Sequence, residues 1–376
     1  MNIQEPLQLL GGLSPHTFMQ RHWEKKPLLI RQAIPGFKPL LDRTELLDMA
    51  AMDDVESRLV VQATPGKEKS WRFRHGPLAR KTLPPFKQPG WSVLVQGMDL
   101  HDERVHALMN QFRFVPDARL DDLMISYATD GGGVGPHFDS YDVFLLQAHG
   151  RRRWRIGRQK DMSLVPDMPL KILANFVPEQ EFVLEPGDML YLPPRYAHDG
   201  IAEGECMTYS IGFRSPSKGE VAQEVLQRIA EQAIEEAGDA IYRDPQQTAV
   251  AQSAEMPPAM VDFARDAMAA ALRDPLALPR ALGEYLTEPK ANVWFEGSDQ
   301  DAQGGVRLDR RTRMLFDDKH IFINGESFTA SGRDARIMRV LANQRQLGAA
   351  ETKPLSDAAR DLLADWVQSG WVHGDD

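Results

Sequence analysis

One cysteine, Cys206, among 376 residues excludes an intrachain disulfide framework and a cysteine zinc site. No apolar run approaches the ~20 residues of a membrane-spanning helix. The opening Met1-Asn2-Ile3-Gln4-Glu5-Pro6 lacks the basic-then-apolar order of a signal peptide. The cytoplasm is therefore the expected location, with no membrane association. Positive charge is in deficit, with 44 Lys and Arg against 54 Asp and Glu and a net charge of −10. That balance opposes phosphate-driven binding, so no direct nucleic-acid binding is expected, and it favours encounter with a basic partner. The glycine run at 131–135 lacks the Lys-Ser/Thr ending of a phosphate loop and opens no helix, so a turn delivering the chain to a site is the better reading. Internal repeats and low-complexity tracts are absent.

What is present fits an ordinary soluble protein of two or three domains: 42% hydrophobic, 26% charged, 376 residues. Residues 1–110 mix helices, such as 40–52, with strands at 57–62 and 91–96, joined by polar connections such as Thr64-Pro65-Gly66-Lys67. Residues 119–214 hold a dense run of short strands: 122–127, 141–147, 151–156 after a turn at His149-Gly150, 182–184, 188–192 and 207–211. Short strands at this spacing with Gly/Pro turns suggest a sandwich or jelly roll. Beyond Ser215-Pro216-Ser217 the pattern becomes helical, with Val221, Val225, Leu226, Ile229, Ala233 and Ile234 at 3.6-residue spacing and further helices at 260–272 and 279–286. Residues 291–376 read as strands at 313–316 and 320–323, an Asn324-Gly325 hairpin turn, two helices and a final strand, a winged-helix pattern. The expected class is α+β, with breaks near 216 and 290 that separate a strand-rich region over 1–215, a helical region over 216–290 and a winged-helix-like region over 291–376.

Two imidazoles and a carboxylate bind one face of an octahedral metal and leave the other open, the ligand set of non-haem Fe(II) oxygenases. Four His-x-Asp/Glu triplets occur: His22/Glu24, His101/Glu103, His137/Asp139 and His373/Asp375. The first two fall in helical-looking runs, where positions i and i+2 diverge, and the last in the C-terminal tail. His137 opens a probable strand, where i and i+2 share a face. Five residues lie between Gly187 and Pro193, and His198 stands five positions further on, which returns a third ligand to the barrel mouth. The plainer reading of His198 is a satisfied core histidine.

Three open metal positions suit a 2-oxo acid and O2. Arg152 shares a strand face with Trp154 and Ile156, and an arginine among apolar neighbours requires a carboxylate partner. Arg151, Arg153 and Arg155 read as surface charges. Asp122, Met124 and Ser126 line one face of another strand, where acid, soft apolar group and hydroxyl would guide a basic side chain. Tyr141, beyond Asp139, would wall that channel, and the plainer reading of Met124 and Tyr141 is core packing.

The stretches 121–126, 131–139, 141–144, 151–154 and 185–198 together resemble the bacterial ribosomal oxygenases, Jumonji C-type Fe(II)/2-oxoglutarate oxygenases of the cupin superfamily. One departure is Arg195, where the second cupin motif usually has glycine. The resemblance implies hydroxylation of an arginine β-carbon on large-subunit ribosomal protein sixteen, with 2-oxoglutarate and O2 consumed and succinate and CO2 released. It implies His137, Asp139 and His198 on iron, and Arg152 on the distal carboxylate of 2-oxoglutarate with Ser126 nearby. It places Asp122, Met124, Tyr141 and Ser210 on the substrate. It also implies a double-stranded β-helix (jelly-roll/cupin) catalytic domain over 1–215 with its core at about 90–214, a helical dimerisation region over 216–290 that forms a homodimer, and a winged-helix-like domain over 291–376. Thr208 stands where related oxygenases often place an asparagine beside the cosubstrate. Two other classes fit the residues: a metal-binding cupin acting on a small molecule, and a ligand-sensing regulator with Arg307, Arg310, Arg311 and Arg313 on DNA.

Overall fold

Alternating burial draws nine strands of the N-terminal half into one antiparallel sheet in the computed structural model, which describes residues 2–62, 71–168, 170–297 and 304–374. The Thr64–Lys67 connection and Asp375 lie outside the described residues. The chain divides into two compact units, Met1–Ser215 and Pro216–Asp376.

In the first unit the strands are β1 (Leu28–Ile30), β2 (Ser57–Val61), β3 (Arg72–His75), β4 (Trp91–Val95), β5 (Leu120–Ala128), β6 (Val143–Gly157), β7 (Gln180–Leu184), β8 (Met189–Leu192) and β9 (Ala197–Phe213). They are ordered β1-β8-β6-β9-β5-β4-β2-β3, with β7 pairing β6. The long β6 and β9 pair along their lengths and carry different neighbours on their two halves. One face packs on an aromatic core that includes Phe18, Trp91, Phe112, Tyr127, Phe144 and Tyr191. Four short helices surround it: α1 (Pro15–Arg21), α2 (Arg43–Met49), α3 (Met98–His101) and α4 (Glu103–Met109). Asp42 and Glu45 form a capping box that starts α2 three residues later than the apolar pattern suggests.

Three expectations change. The strands expected at 141–147 and 151–156 are one strand, β6, and His149-Gly150 is a bulge within it, not a hairpin turn. Gly150 takes φ 60°, and a Cβ there would meet the Glu205 carbonyl at 2.1 Å. Val143 and Leu145 share one core cluster with Trp154 and Ile156, so the inward face switches from odd to even positions across the bulge. Second, the rejected triplets fail for revised reasons. Asp102 is extended and caps α4 through Arg104 N–H and Val105 N–H, so His101 and Glu103 belong to two helices. His22 lies just beyond α1, and Glu24 has a left-handed backbone. Third, His373 is not frayed: it sits in a paired strand, with Nε2 2.9 Å from Asp309 Oδ2.

The second unit begins with α5 (Lys218–Ala237), α6 (Pro258–Ala271) and α7 (Ala277–Thr287). Two three-stranded sheets follow, built from β10 (Val306–Leu308), β14 (Gln346–Leu347) and β15 (Val372–Gly374), and from β11 (Met314–Phe316), β12 (His320–Ile323) and β13 (Glu326–Thr329). With α8 (Gly332–Gln344), α9 (Ala349–Thr352) and α10 (Asp357–Gln368), the strands enclose a core that includes Ile323, Leu341 and Trp366. Asn324 and Gly325 both have positive φ, as a two-residue hairpin turn demands. No described helix is long and apolar enough to cross a membrane.

Candidate metal centre and cosubstrate pocket

His137 and His198 are joined by a two-way backbone bridge, His137 N–H to His198 O at 3.0 Å and His198 N–H to His137 O at 2.8 Å. The strand expected at His137 is therefore one bridge long, and its partner is the start of β9. Asp139 lies in the following loop, where its carbonyl accepts from Arg195 N–H at 2.7 Å. One ligand atom from each of His137, Asp139 and His198 lies within 4.8 Å of the others. His198 Nε2 is 3.6 Å from Asp139 Oδ2, and the two imidazole centroids are 4.2 Å apart.

Each imidazole is oriented by a carbonyl. His137 Nδ1 lies 2.8 Å from Gly135 O, and His198 Nδ1 lies 3.0 Å from Tyr196 O. Carbonyls only accept, so each Nδ1 carries a proton and Nε2 is the nitrogen each ring can offer to a metal. Burial first, then the neighbouring His137, pushes the His198 pKa down to about 4, against a smaller opposing effect of Asp139. Two imidazoles and a carboxylate on one side of a cavity fit a divalent metal with an open face.

The backbones that bring these groups together are close. A Cβ on Gly133 would meet the Gly200 carbonyl at 2.4 Å, and one on Gly200 would meet the Trp154 ring at 2.7 Å. Arg195 takes φ 62°, the left-handed region that favours the glycine usual there. Its side chain departs from the motif, while its backbone keeps the motif's shape.

The cavity beside the triad has a volume of about 270 Å³. Arg152 lines it and is only 6% exposed. Its Nη1 donates to Ser126 Oγ at 3.4 Å, its guanidinium carbon lies 5.6 Å from the centre of the Trp154 ring, and its buried Nε has no partner. Among the described residues it forms no ion pair. By contrast Arg151, Arg153 and Arg155 pair with Glu203, Glu181 and Asp199 on the outer face. A buried guanidinium facing a cavity without a counter-ion is unfavourable by itself and complementary to a carboxylate ligand.

Ser126, Met124, Tyr141 and Ser210 all line this cavity. Thr208 does not: its hydroxyl donates to Gln147 Oε1 at 3.0 Å. Asp122 also stands off the lining, where Oδ2 accepts from Gly97 N–H at 3.0 Å. Tyr141 is partly exposed, and burial of its hydroxyl with Asp139 and Asp122 nearby pushes its pKa up. The strand expected at 91–96 was given no part in the site, yet Ser92 and Leu94 of β4 and Gln96 just beyond it line the same cavity, as does Arg58 of β2. Ser92 Oγ is buried without a partner. The period-2 spacing of 92, 94 and 96 was the available signal.

A double-stranded barrel with a His-Asp-His cluster and an unpaired arginine around one cavity defines the JmjC class of oxygenases. Residues 107–221 match the JmjC domain family, and residues 270–373 match the ROXA-like winged helix. The chain is 37% identical over 381 residues to the ribosomal protein uL16 3-hydroxylase of Escherichia coli (strain K12), covering 94% of this chain and 96% of that protein. It is 37% identical over 210 residues to a probable ribosomal oxygenase of Haemophilus influenzae, covering 54% of this chain and 50% of that one. The X-ray structure of E. coli YcfD superposes with a TM-score of 0.80 at 31% identity, covering 95% of this chain and 96% of that chain. YcfD in complex with cobalt and 2-oxoglutarate gives 0.76 at 32%, covering 95% and 96%. The chain belongs to the family of bacterial ribosomal oxygenases.

Proposed function

We propose that this chain is an Fe(II)- and 2-oxoglutarate-dependent protein hydroxylase acting on the β-carbon of an arginine in ribosomal protein uL16, the large-subunit protein sixteen. The observation that carries this reading is Arg152, buried in the same cavity as the triad and without a carboxylate of its own. His137, Asp139 and His198 would hold the iron. Arg152 would take the distal carboxylate of 2-oxoglutarate, with Ser126 beside it. The bound iron and 2-oxoglutarate supply the oxidation: O2 is consumed, 2-oxoglutarate leaves as succinate and CO2, and one oxygen atom enters a C–H bond.

The chain's own contribution is placement. The Gly135 and Tyr196 carbonyls orient both imidazoles through Nδ1 and leave Nε2 to face the metal position, and Trp154 packs beneath His198 at 5.7 Å between rings. Met124, Tyr141 and Ser210 form the wall along which an arginine side chain would lie, with the Asp122 charge behind it. Thr208 would act on the cosubstrate only through Ser126, whose hydroxyl donates to the Thr208 carbonyl at 3.3 Å, because its own side chain is tied to Gln147.

The catalytic domain is assigned to 1–215, a helical dimerisation region to 216–290 and a winged-helix domain to 291–376. The apolar residues Leu226, Ile234 and Met268 are 59–79% exposed on α5 and α6, which supports a homodimer through this region. The setting is the cytoplasm, with a basic ribosomal protein as partner. Mass spectrometry of uL16 from cells with and without the gene tests the reading. A one-oxygen mass increase on an arginine, present only with the gene, is the expected result. An unmodified uL16 in both would refute the assigned substrate.

A further inference from the structure

A second hollow of the first unit, about 280 Å³, has Lys25, Arg158, Arg195, Glu24 and Tyr196 among its lining residues. Among the described residues its cations Lys25, Arg158 and Arg195 form no ion pair. Lys25 Nζ donates to the Met19 and Gln20 carbonyls at 3.2 and 2.8 Å. Arg158 Nη2 donates to the Lys25 carbonyl at 3.1 Å. Among the described residues the Arg195 side chain has neither a hydrogen bond nor an ion pair. The acids nearby are committed elsewhere: Glu24 pairs with Arg119 at 3.1 Å, and Glu179 accepts from the Tyr196 hydroxyl at 2.9 Å. On a chain of net charge −10, three cations share one concavity with a single carboxylate, Glu24, which is itself paired with Arg119. Their mutual repulsion is relieved by a bound anion.

We propose that this hollow binds an oxyanion of the phosphate class. Two guanidinium forks and an ammonium supply more donors than one carboxylate can accept, and they match a tetrahedral group with several acceptor oxygens. The source is either free inorganic phosphate or the phosphodiester of an RNA strand. The turn that lines the hollow is the one whose Arg195 N–H holds Asp139 and whose Tyr196 carbonyl orients His198. An anion there would stiffen the support of two metal ligands.

The test uses the full chain at fixed ionic strength. Titration calorimetry with inorganic phosphate and anisotropy with a short single-stranded RNA are compared for the native protein, Arg158→Gln and Arg195→Gly. The expected result is saturable binding of at least one probe, weakened about tenfold or more in both variants, as loss of a charge-assisted contact worth about 1.4 kcal/mol requires. Preserved 2-oxoglutarate binding by Arg158→Gln shows that the variant is folded. Phosphate binding with that loss identifies a free oxyanion site, and tighter RNA binding with the same loss identifies a phosphodiester site. Absence of saturable binding to either probe, or equal binding by native protein and variants, overturns the proposal.

Discussion

Arg152→Met should raise the stability of the ligand-free protein and weaken 2-oxoglutarate binding, two effects of opposite sign from one change. Arg152 is 6% exposed, with one long hydrogen bond to Ser126 and an unpartnered Nε. A buried charge with no counter-ion is strongly unfavourable, although the cavity lets water reach part of this one. Methionine keeps the length of the side chain and its packing on Trp154 without the charge. The net gain should be about 1 kcal/mol, which in a unit of this size raises the midpoint by about 2–4 °C. Against that, a buried charge-assisted pair contributes about 3 kcal/mol to ligand binding, so the dissociation constant for 2-oxoglutarate should rise by about 100-fold. The assay is thermal unfolding of the metal-loaded protein with and without 2-oxoglutarate, with calorimetry for affinity. A variant that unfolds earlier without ligand and binds 2-oxoglutarate as the native protein does would refute the argument, because Arg152 would then be a structural residue.

Three further outcomes are expected. His137→Ala should abolish substrate-linked succinate formation, measured by mass spectrometry of the reaction; full turnover would remove His137 from the metal. Arg195→Gly should stabilise the protein by about 0.5–1 kcal/mol by relieving the left-handed backbone, read from chemical denaturation; a loss of stability would show that its side chain supports the fold. In metal-free protein His198 has a pKa of about 4 in the fold against 6.5 when exposed, so the unfolded chain binds the extra proton between those values. Stability should therefore rise with pH across that window, and His198→Gln should flatten the rise; an unchanged slope would place the titration elsewhere.

The triad was legible because its spacing is a covalent fact: one residue separates His137 from Asp139, and the Gly187–Pro193–His198 interval survives any detail of strand length. The secondary structure around it was less so. His149-Gly150 has the composition of a turn, and only the pairing of β9 along both sides of it shows that the strand continues. Asp102, read as part of a helix, breaks it by turning its side chain onto the next turn's amides. Ser92 carries no motif, and its place on the cavity comes from the sheet order that sets β4 beside β5. Arg195 shows the converse: the sequence departs from the motif, yet the chain adopts the glycine conformation because the bond to the Asp139 carbonyl requires it.

The bulge in β6 governs how this chain tolerates length changes. Three arginines stand in a row, and pairing with Ala202 selects Arg152 as the inward one. Deleting one residue from the bulge would slide Arg153 into that slot, so the cavity would still receive a guanidinium. The same slip would put Arg155 in the slot opposite Gly200, where the indole of Trp154 now underlies His198. The run of arginines therefore gives redundancy for the cosubstrate and none for the metal. Natural variation here should proceed by substitution, with the number of residues between Leu145 and Trp154 held constant.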